Sequence, residues 1–314
     1  MTMKPNLNEL FEARRILPDL DARERLDRLV GLDDQKTRLT KVLGLLVNPT
    51  SLHEWASKHH PGASALLDTV LRRPPLVVLA GDVGSGKTEL AETIGDAVAR
   101  AQDIDITLLP LSLSTRGQGL VGEMTQLVTA AFDAAIDEAR LMKGKKSATG
   151  GVILLVDEAD ALAQSRESSQ MHHEDRAGVN AFIRGIDRLA GERLPAAVVM
   201  CTNRLNALDP AVRRRAADIL TFNRPDDVQR AFVLEQRLGP LGFLSLDIAK
   251  LAASTGPASN GGVGFTFSDL TQRLIPGIVL DAYPSAKVTP ARALELARAM
   301  SPTPPFRDDA GATA

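Results

Sequence analysis

The sequence predicts an α/β fold, a doubly wound parallel sheet followed by a small α-helical domain. Three observations predict it. The runs Leu76–Ala80, Val152–Val156 and Ala196–Cys201 are apolar at every position, as strands covered on both faces are. They alternate with segments of helical periodicity, which is the pattern of βαβ units. From Arg224 onward only helical patterns recur.

Taken in order, residues 1–28 are charged and helix-prone. Leu10, Phe11, Ile16 and Leu17 are too sparse for a core of their own, so the segment reads as an N-terminal arm. Leu29-Val30-Gly31-Leu32-Asp33-Asp34-Gln35-Lys36 opens the α/β domain and leads into the amphipathic TRLTKVLGLLVNP. A second helical segment, SLHEWASKHH, precedes the Arg72-Arg73-Pro74-Pro75 break. The first strand, Leu76–Ala80, is followed by a helix at Glu89–Arg100. Ile104–Leu113 reads as a strand, Gly117–Glu123 as a glycine-rich loop, and Met124–Lys143 as a helix. The polar, basic stretch at Lys143–Gly151 reads as a solvated loop. The strands at Val152–Val156 and Ala196–Cys201 flank a helix at Ala177–Leu189, and Ile219–Phe222 closes the series. The expected large domain therefore spans residues 29–223. Residues 224–300 hold VQRAFVLEQRL, LDIAKLAAS, FSDLTQRLIPGIVLDAY and PARALELARAM, a small helical domain. Residues 301–314, rich in proline and small polar residues, read as a disordered tail.

Composition narrows the function. A chain of 314 residues with 44% hydrophobic and 24% charged residues can bury a sizeable core. A net charge of −2 supplies no basic field for nucleic acid or an anionic membrane. One Trp and one Tyr argue against a stacking surface for single strands. A lone cysteine, Cys201, excludes a disulfide framework. There is no signal-peptide core and no membrane-spanning run, so the expectation is a soluble cytoplasmic protein.

The chemistry begins at Gly81-Asp82-Val83-Gly84-Ser85-Gly86-Lys87-Thr88, which fits G-x-x-x-x-G-K-[ST] at every fixed position. A chance match in a chain of this length is roughly a one-in-a-hundred event. The strand before it and the helix after it supply the context of a phosphate-binding loop. Glycines permit a tight turn whose N–H groups face an anion, and the helix N-terminus adds positive potential. Lys87 suits the β- and γ-phosphates of ATP, Thr88 suits Mg²⁺, and Glu89 follows them into the helix.

The strand Val152–Val156 runs into Asp157-Glu158-Ala159-Asp160, placing carboxylates at the carboxyl edge of a parallel sheet, where ligands bind. Asp157 suits coordination of Mg²⁺, and Glu158 suits activation of an attacking water. A solvated acidic strand end is the plainer reading, but the phosphate loop upstream favours the functional one. The strand that ends in Thr202-Asn203 puts Asn203 at the same edge, able to hold that water. Leu208-Asp209-Pro210-Ala211-Val212 then leads to Arg213, Arg214 and Arg215. Standing so soon after Asn203, these arginines are more than a solvated basic face.

In this order, followed by a small helical domain, these motifs resemble the AAA+ P-loop ATPases over residues 28–300. The resemblance implies that Lys87 and Thr88 are Walker A, Asp157 and Glu158 Walker B, and Asn203 sensor 1. It makes Arg214 or Arg215 an arginine finger acting on a neighbouring subunit's nucleotide, and the assembly a homohexamer. Val30 and Gly31 would lie along the adenine. Leu120-Val121-Gly122-Glu123 stands where substrate-threading members carry a pore loop, with leucine in place of the aromatic residue. An ordinary glycine loop is the competing reading there. Gln164–Glu174 fits a second pore loop. Its His172-His173 pair reads as surface rather than a zinc site, because the spacing is wrong.

The short N-terminus, VNAFIRGID and RRRAADI look most like the pachytene-checkpoint class, which remodels HORMA-domain proteins. Bacterial members of that class accompany anti-phage (CBASS) operons. The resemblance thus implies an ATP-driven remodeller of a HORMA-domain partner. One departure stands out: Gly264–Leu270 holds no arginine where that class has its sensor 2, which leaves open whether Arg273 takes its place. The alternative, a nucleic-acid-associated switch or loader, would want a basic stripe that the sequence lacks. A non-hydrolysing scaffold would not need both Asp157 and Glu158.

Overall fold

A computed structural model describes residues 10–113, 123–144, 147–160, 173–257 and 262–305. Among these residues six strands, β1 (Arg15–Leu17), β2 (Leu76–Gly81), β3 (Asp105–Ser112), β4 (Gly150–Asp157), β5 (Ala196–Thr202) and β6 (Ala216–Phe222), form one sheet in the order β1-β3-β4-β5-β2-β6. β3, β4, β5 and β2 pair in parallel in register. The runs read as covered on both faces are so: β2 and β4 are buried at every position but the last, and β5 throughout. Each such aliphatic side chain contributes on the order of 2 kcal/mol through burial. The helices that cover them include α5 (Lys87–Gln102), α6 (Glu123–Met142) and α7 (His173–Glu192). Phe132 of α6 meets Phe182 of α7 edge to face, with ring centroids 5.5 Å apart.

The N-terminal segment corrects the reading of an arm. β1 pairs antiparallel with β3, Ile16 opposite Thr107, and Leu10, Phe11 and Leu17 are buried. α1 (Leu20–Arg28) buries Ala22 and Leu26. A few apolar side chains cannot build a core alone, but they can extend one that exists, and β1 covers an otherwise open sheet edge. Three helices, α2 (Asp33–Val47), α3 (Thr50–His59) and α4 (Ser64–Leu71), lead to β2. α8 (Pro210–Arg213) precedes β6. No helix among the described residues is long and apolar enough to cross a membrane.

The described residues divide into two compact units. One comprises residues within 1–28, 34–80 and 88–221, and holds the sheet. The other gathers 29–33 and the loop 81–87 with the chain from 222 onward. Its helices are α9 (Asp227–Leu238), α10 (Ser245–Ser254), α11 (Ile275–Ala282) and α12 (Pro290–Ala299). Their core includes Val233, Leu234, Leu251, Phe265, Leu270, Leu274 and Ile278. Asp226 caps α9 in a capping box with Gln229. The buried Arg230 spans two carbonyls, Ala252 at 3.1 Å and Pro225 at 2.5 Å, which satisfies a cation that burial would otherwise penalise. Asp269–Leu274 winds as one π-turn directly before Pro276, whose ring and missing N–H disturb the preceding turn.

The tail also differs from expectation at its start. Thr303 donates to Asp269 through both N, at 3.0 Å, and Oγ1, at 2.7 Å. Asp269 is fully buried. Burial alone would raise its pKa, but donors from Thr266, Thr303 and Arg273 outweigh this and lower it to about 2. Because the folded value lies below an unfolded value of ~3.9, the carboxylate stabilises the fold fully above that pH and loses the effect as pH falls through the folded value. Between neutral pH and pH 2 the wild type is therefore expected to lose about 2 kcal/mol more stability than Asp269→Asn, read by urea denaturation at each pH. Parallel loss in both proteins would remove this role.

Candidate functional site

The phosphate loop leaves β2 at Gly81, with φ of 156°, where an added Cβ would lie 2.1 Å from the Phe222 carbonyl oxygen. Only glycine fits there. Gly84, with φ of 72°, would bring a Cβ within 2.8 Å of Thr266 Oγ1. Inside the loop Lys87 is buried and its Nζ donates to the Gly81 carbonyl at 2.9 Å and the Asp82 carbonyl at 2.7 Å. Ser85, also buried, donates to the Asp82 carbonyl at 2.7 Å. The loop is thus wound around an ammonium, with Lys87 and Thr88 opening α5. Val83 stands exposed, and Gly86 lies against Leu32, 3.1 Å from where its Cβ would be.

The same unit holds Val30 and Gly31. Val30 packs on the helical core, and Gln229 Nε2 donates to the Gly31 carbonyl at 2.9 Å. Gln229 therefore does two things: its amide oxygen completes the α9 cap and its nitrogen pins Gly31. Asp82, drawn from the sequence only as part of the loop, is salt-bridged to Arg224. Arg273 pairs with Asp269 at 2.6 Å.

In the sheet-bearing unit Thr88 Oγ1 donates to Asp157 Oδ1 at 3.2 Å, so the hydroxyl and carboxylate picked from the sequence are adjacent. Burial raises the Asp157 pKa, partly opposed by bonds from Glu158 N and Thr88 and reinforced by the charges of Glu158 and Glu92. A half-buried carboxylate beside a hydroxyl and further carboxylates is the hard oxygen set that suits Mg²⁺. Glu158, at the strand end, is exposed and has φ of 51°, a strained geometry for a residue with a side chain. The side chain of Glu89 is bound bidentately by Arg25, at 2.8 and 2.9 Å, which leaves its backbone for any ligand.

Asn203 is held by a residue to which the sequence reading gave no role. Asp160 accepts from Asn203 N at 2.9 Å, Asn203 Nδ2 at 3.0 Å and Thr202 Oγ1 at 2.8 Å. Asp160 thereby fixes the rotamer of Asn203 and turns its amide oxygen outward as an acceptor. Its place at the end of Asp157-Glu158-Ala159-Asp160 was the available signal. Ala159 N also donates to the Cys201 carbonyl, tying the ends of β4 and β5 together.

The three arginines separate by their partners. Asp209 caps α8, accepting from Ala211 N at 2.7 Å, which sets where they emerge. Arg215 is paired bidentately with Asp187 at 2.7 and 3.0 Å. Arg213 donates to the Leu205 carbonyl at 2.7 Å. The exposed side chain of Arg214 has no hydrogen bond or ion pair among the described residues. Leu120, Val121 and Gly122 lie outside the described residues; Glu123 begins α6. Most of Gln164–Glu174, including His172, also lies outside them.

A buried lysine in a glycine loop, a threonine–aspartate pair and a strained strand-end glutamate are the residue types that a P-loop nucleoside triphosphatase uses. The profile of the ATPase family associated with various cellular activities (AAA) matches residues 77–224. The chain is 66% identical over 309 residues to CD-NTase-associated protein 6 of Escherichia coli strain MS 115-1, covering 98% of this chain and 99% of that protein. It belongs to the AAA family of ATPases. Among solved structures it is similar to a chain of the E. coli MS115-1 HORMA:CdnC:Trip13 complex, at 66% identity and a TM-score of 0.90 over 97% of this chain and 100% of that one. Rhizobiales Trip13 follows at 58% identity and a TM-score of 0.75, over 94% and 100%.

Proposed function

We propose that this protein is a ring-forming, Mg²⁺-dependent ATPase that hydrolyses ATP to ADP and phosphate and uses the energy to dismantle a complex containing a HORMA-domain protein. The observation that carries this reading is the near full-length similarity, at 66% identity, to a chain solved within a HORMA:CdnC:Trip13 complex. The HORMA-domain protein and a CD-NTase of a bacterial anti-phage system are then the natural partners.

In this reading the loop from Asp82 to Lys87 binds the phosphates, while Val30 and Gly31 flank the adenine. Thr88 and Asp157 would hold Mg²⁺, which screens phosphate charge when bound. Glu158 takes the proton of the attacking water, and Asn203, oriented by Asp160, accepts a hydrogen bond from that water. Arg214 reaches the nucleotide of the adjoining subunit in a hexamer. Leu120–Glu123 grips a flexible segment of the partner in the central pore.

The test uses the protein with its operon's HORMA-domain protein bound to the nucleotidyltransferase. Addition of ATP and Mg²⁺ is expected to separate the complex on size-exclusion chromatography. Leu120→Ala is expected to keep ATP turnover within about twofold and to slow separation at least tenfold. A complex that survives wild-type enzyme and ATP would overturn the proposed partner. Unchanged separation by Leu120→Ala would overturn the pore-loop role.

A further inference from the structure

The phosphate loop carries an acid, Asp82, in a segment whose chemistry otherwise suits an anion. Asp82 Oδ1 accepts from Val83 N at 3.0 Å, so the carboxylate is built into the loop's own turn. Arg224 Nε donates to Asp82 Oδ2 at 2.7 Å, and Nη1 donates to the Gly264 carbonyl at 2.6 Å. Arg224 Nη2 also lies 2.6 Å from Asp82 Oδ2, too poorly angled for a hydrogen bond, and is itself buried. The two side chains are only 14% and 18% exposed, so water screens the pair weakly. Two further contacts run the same way. Ser268 N donates to the Gly84 carbonyl at 3.1 Å, and Thr266 packs where a Gly84 side chain would stand. The loop is thus held from residues 264–268, while Arg273, the basic residue nearest in sequence, is committed to Asp269.

We infer that Arg224 is a positioning residue for nucleotide binding that acts through Asp82: it neutralises the acid next to the phosphates and ties the loop to Gly264. The inference rests on the reading of this loop as a nucleotide site. Its physical content is specific. Without Arg224, a carboxylate in low-dielectric surroundings faces a polyanion and repels it, whichever phosphates that ligand carries. The loss must therefore fall on ATP and ADP alike, and must depend on the charge of residue 82. An arginine that touched the γ-phosphate itself would discriminate between the two nucleotides.

The experiment measures the dissociation constants of fluorescent ATP and ADP analogues for the full-length protein in Mg²⁺. Arg224→Ala is expected to weaken both about tenfold in the Asp82 background and less than threefold in the Asp82→Asn background. Arg224→Lys should retain most of the affinity, because it keeps the charge. Thermal melting without nucleotide checks that each variant folds. If Arg224→Ala is unfolded, the same comparison runs on Arg224→Gln, with Arg224→Lys as its rescue. Unchanged affinity, loss for ATP alone, or an equal loss with Asn at position 82 would each overturn the inference. ATP binding that survives Lys87→Ala would overturn the nucleotide reading of the loop, and the inference with it.

Discussion

Glu158→Gln is expected to bind ATP with near wild-type affinity and to lose at least ~10³-fold in turnover. The substitution keeps the size and shape of the side chain while removing its basicity. Glutamine preserves the side chain's hydrogen-bonding capacity as well as its shape, so binding should stand. Its backbone is strained, with φ of 51°, in the position one residue beyond Asp157 at the end of β4. Such strain persists where surrounding structure holds it and often accompanies function. Steady-state phosphate release and nucleotide binding, measured on the same preparation, separate the two properties. Turnover within tenfold of wild type would remove Glu158 as the base. A bound but non-hydrolysing protein would also serve as a trap, retaining its partner for identification by mass spectrometry.

Arg214→Ala is expected to reduce turnover by about 10³-fold or more with nucleotide binding intact, the scale set by arginine fingers elsewhere. Sequence left Arg214 and Arg215 as equals. In the folded chain Arg215 is bound bidentately by Asp187, whereas the exposed Arg214 side chain makes no such bond among the described residues. An arginine already neutralised must break a pair before it can serve a neighbour. Arg215→Ala is therefore expected to cost under about 1 kcal/mol of stability, as partly exposed ion pairs do, and less than tenfold in turnover. Mixing Arg214→Ala with Glu158→Gln should recover activity that neither has alone, because each subunit supplies what its neighbour lacks. No recovery at any ratio, or a dead Arg215→Ala beside an active Arg214→Ala, would overturn the assignment.

Much of this protein was legible in its sequence because the chemistry there is local. A glycine loop needs its glycines, lysine and threonine in one short run, and a strand buried on both faces must be apolar throughout. Leu76–Thr88 meets both conditions and Val152–Asp160 the second, each within a few residues, so chain order alone indicated a doubly wound sheet and the residues at its edge. Helical periodicity likewise marked the segments after Arg224.

What remained hidden depends on partners far apart in the chain. No local pattern tells that Arg15–Leu17 will pair with β3, since a three-residue strand is specified by the edge it meets. Nor does one tell that Thr303 will close over Asp269, or that Asp160 will orient Asn203. Arg224 and Asp82 are 142 positions apart, and neither the loop motif that holds Asp82 nor the sequence around Arg224 marks their pairing. Sequence by itself determined the kind of chemistry, because covalent neighbours carry it. Only the tertiary structure decided which charges are spent on the fold and which are left for the reaction, because that depends on how the distant parts of the chain pack.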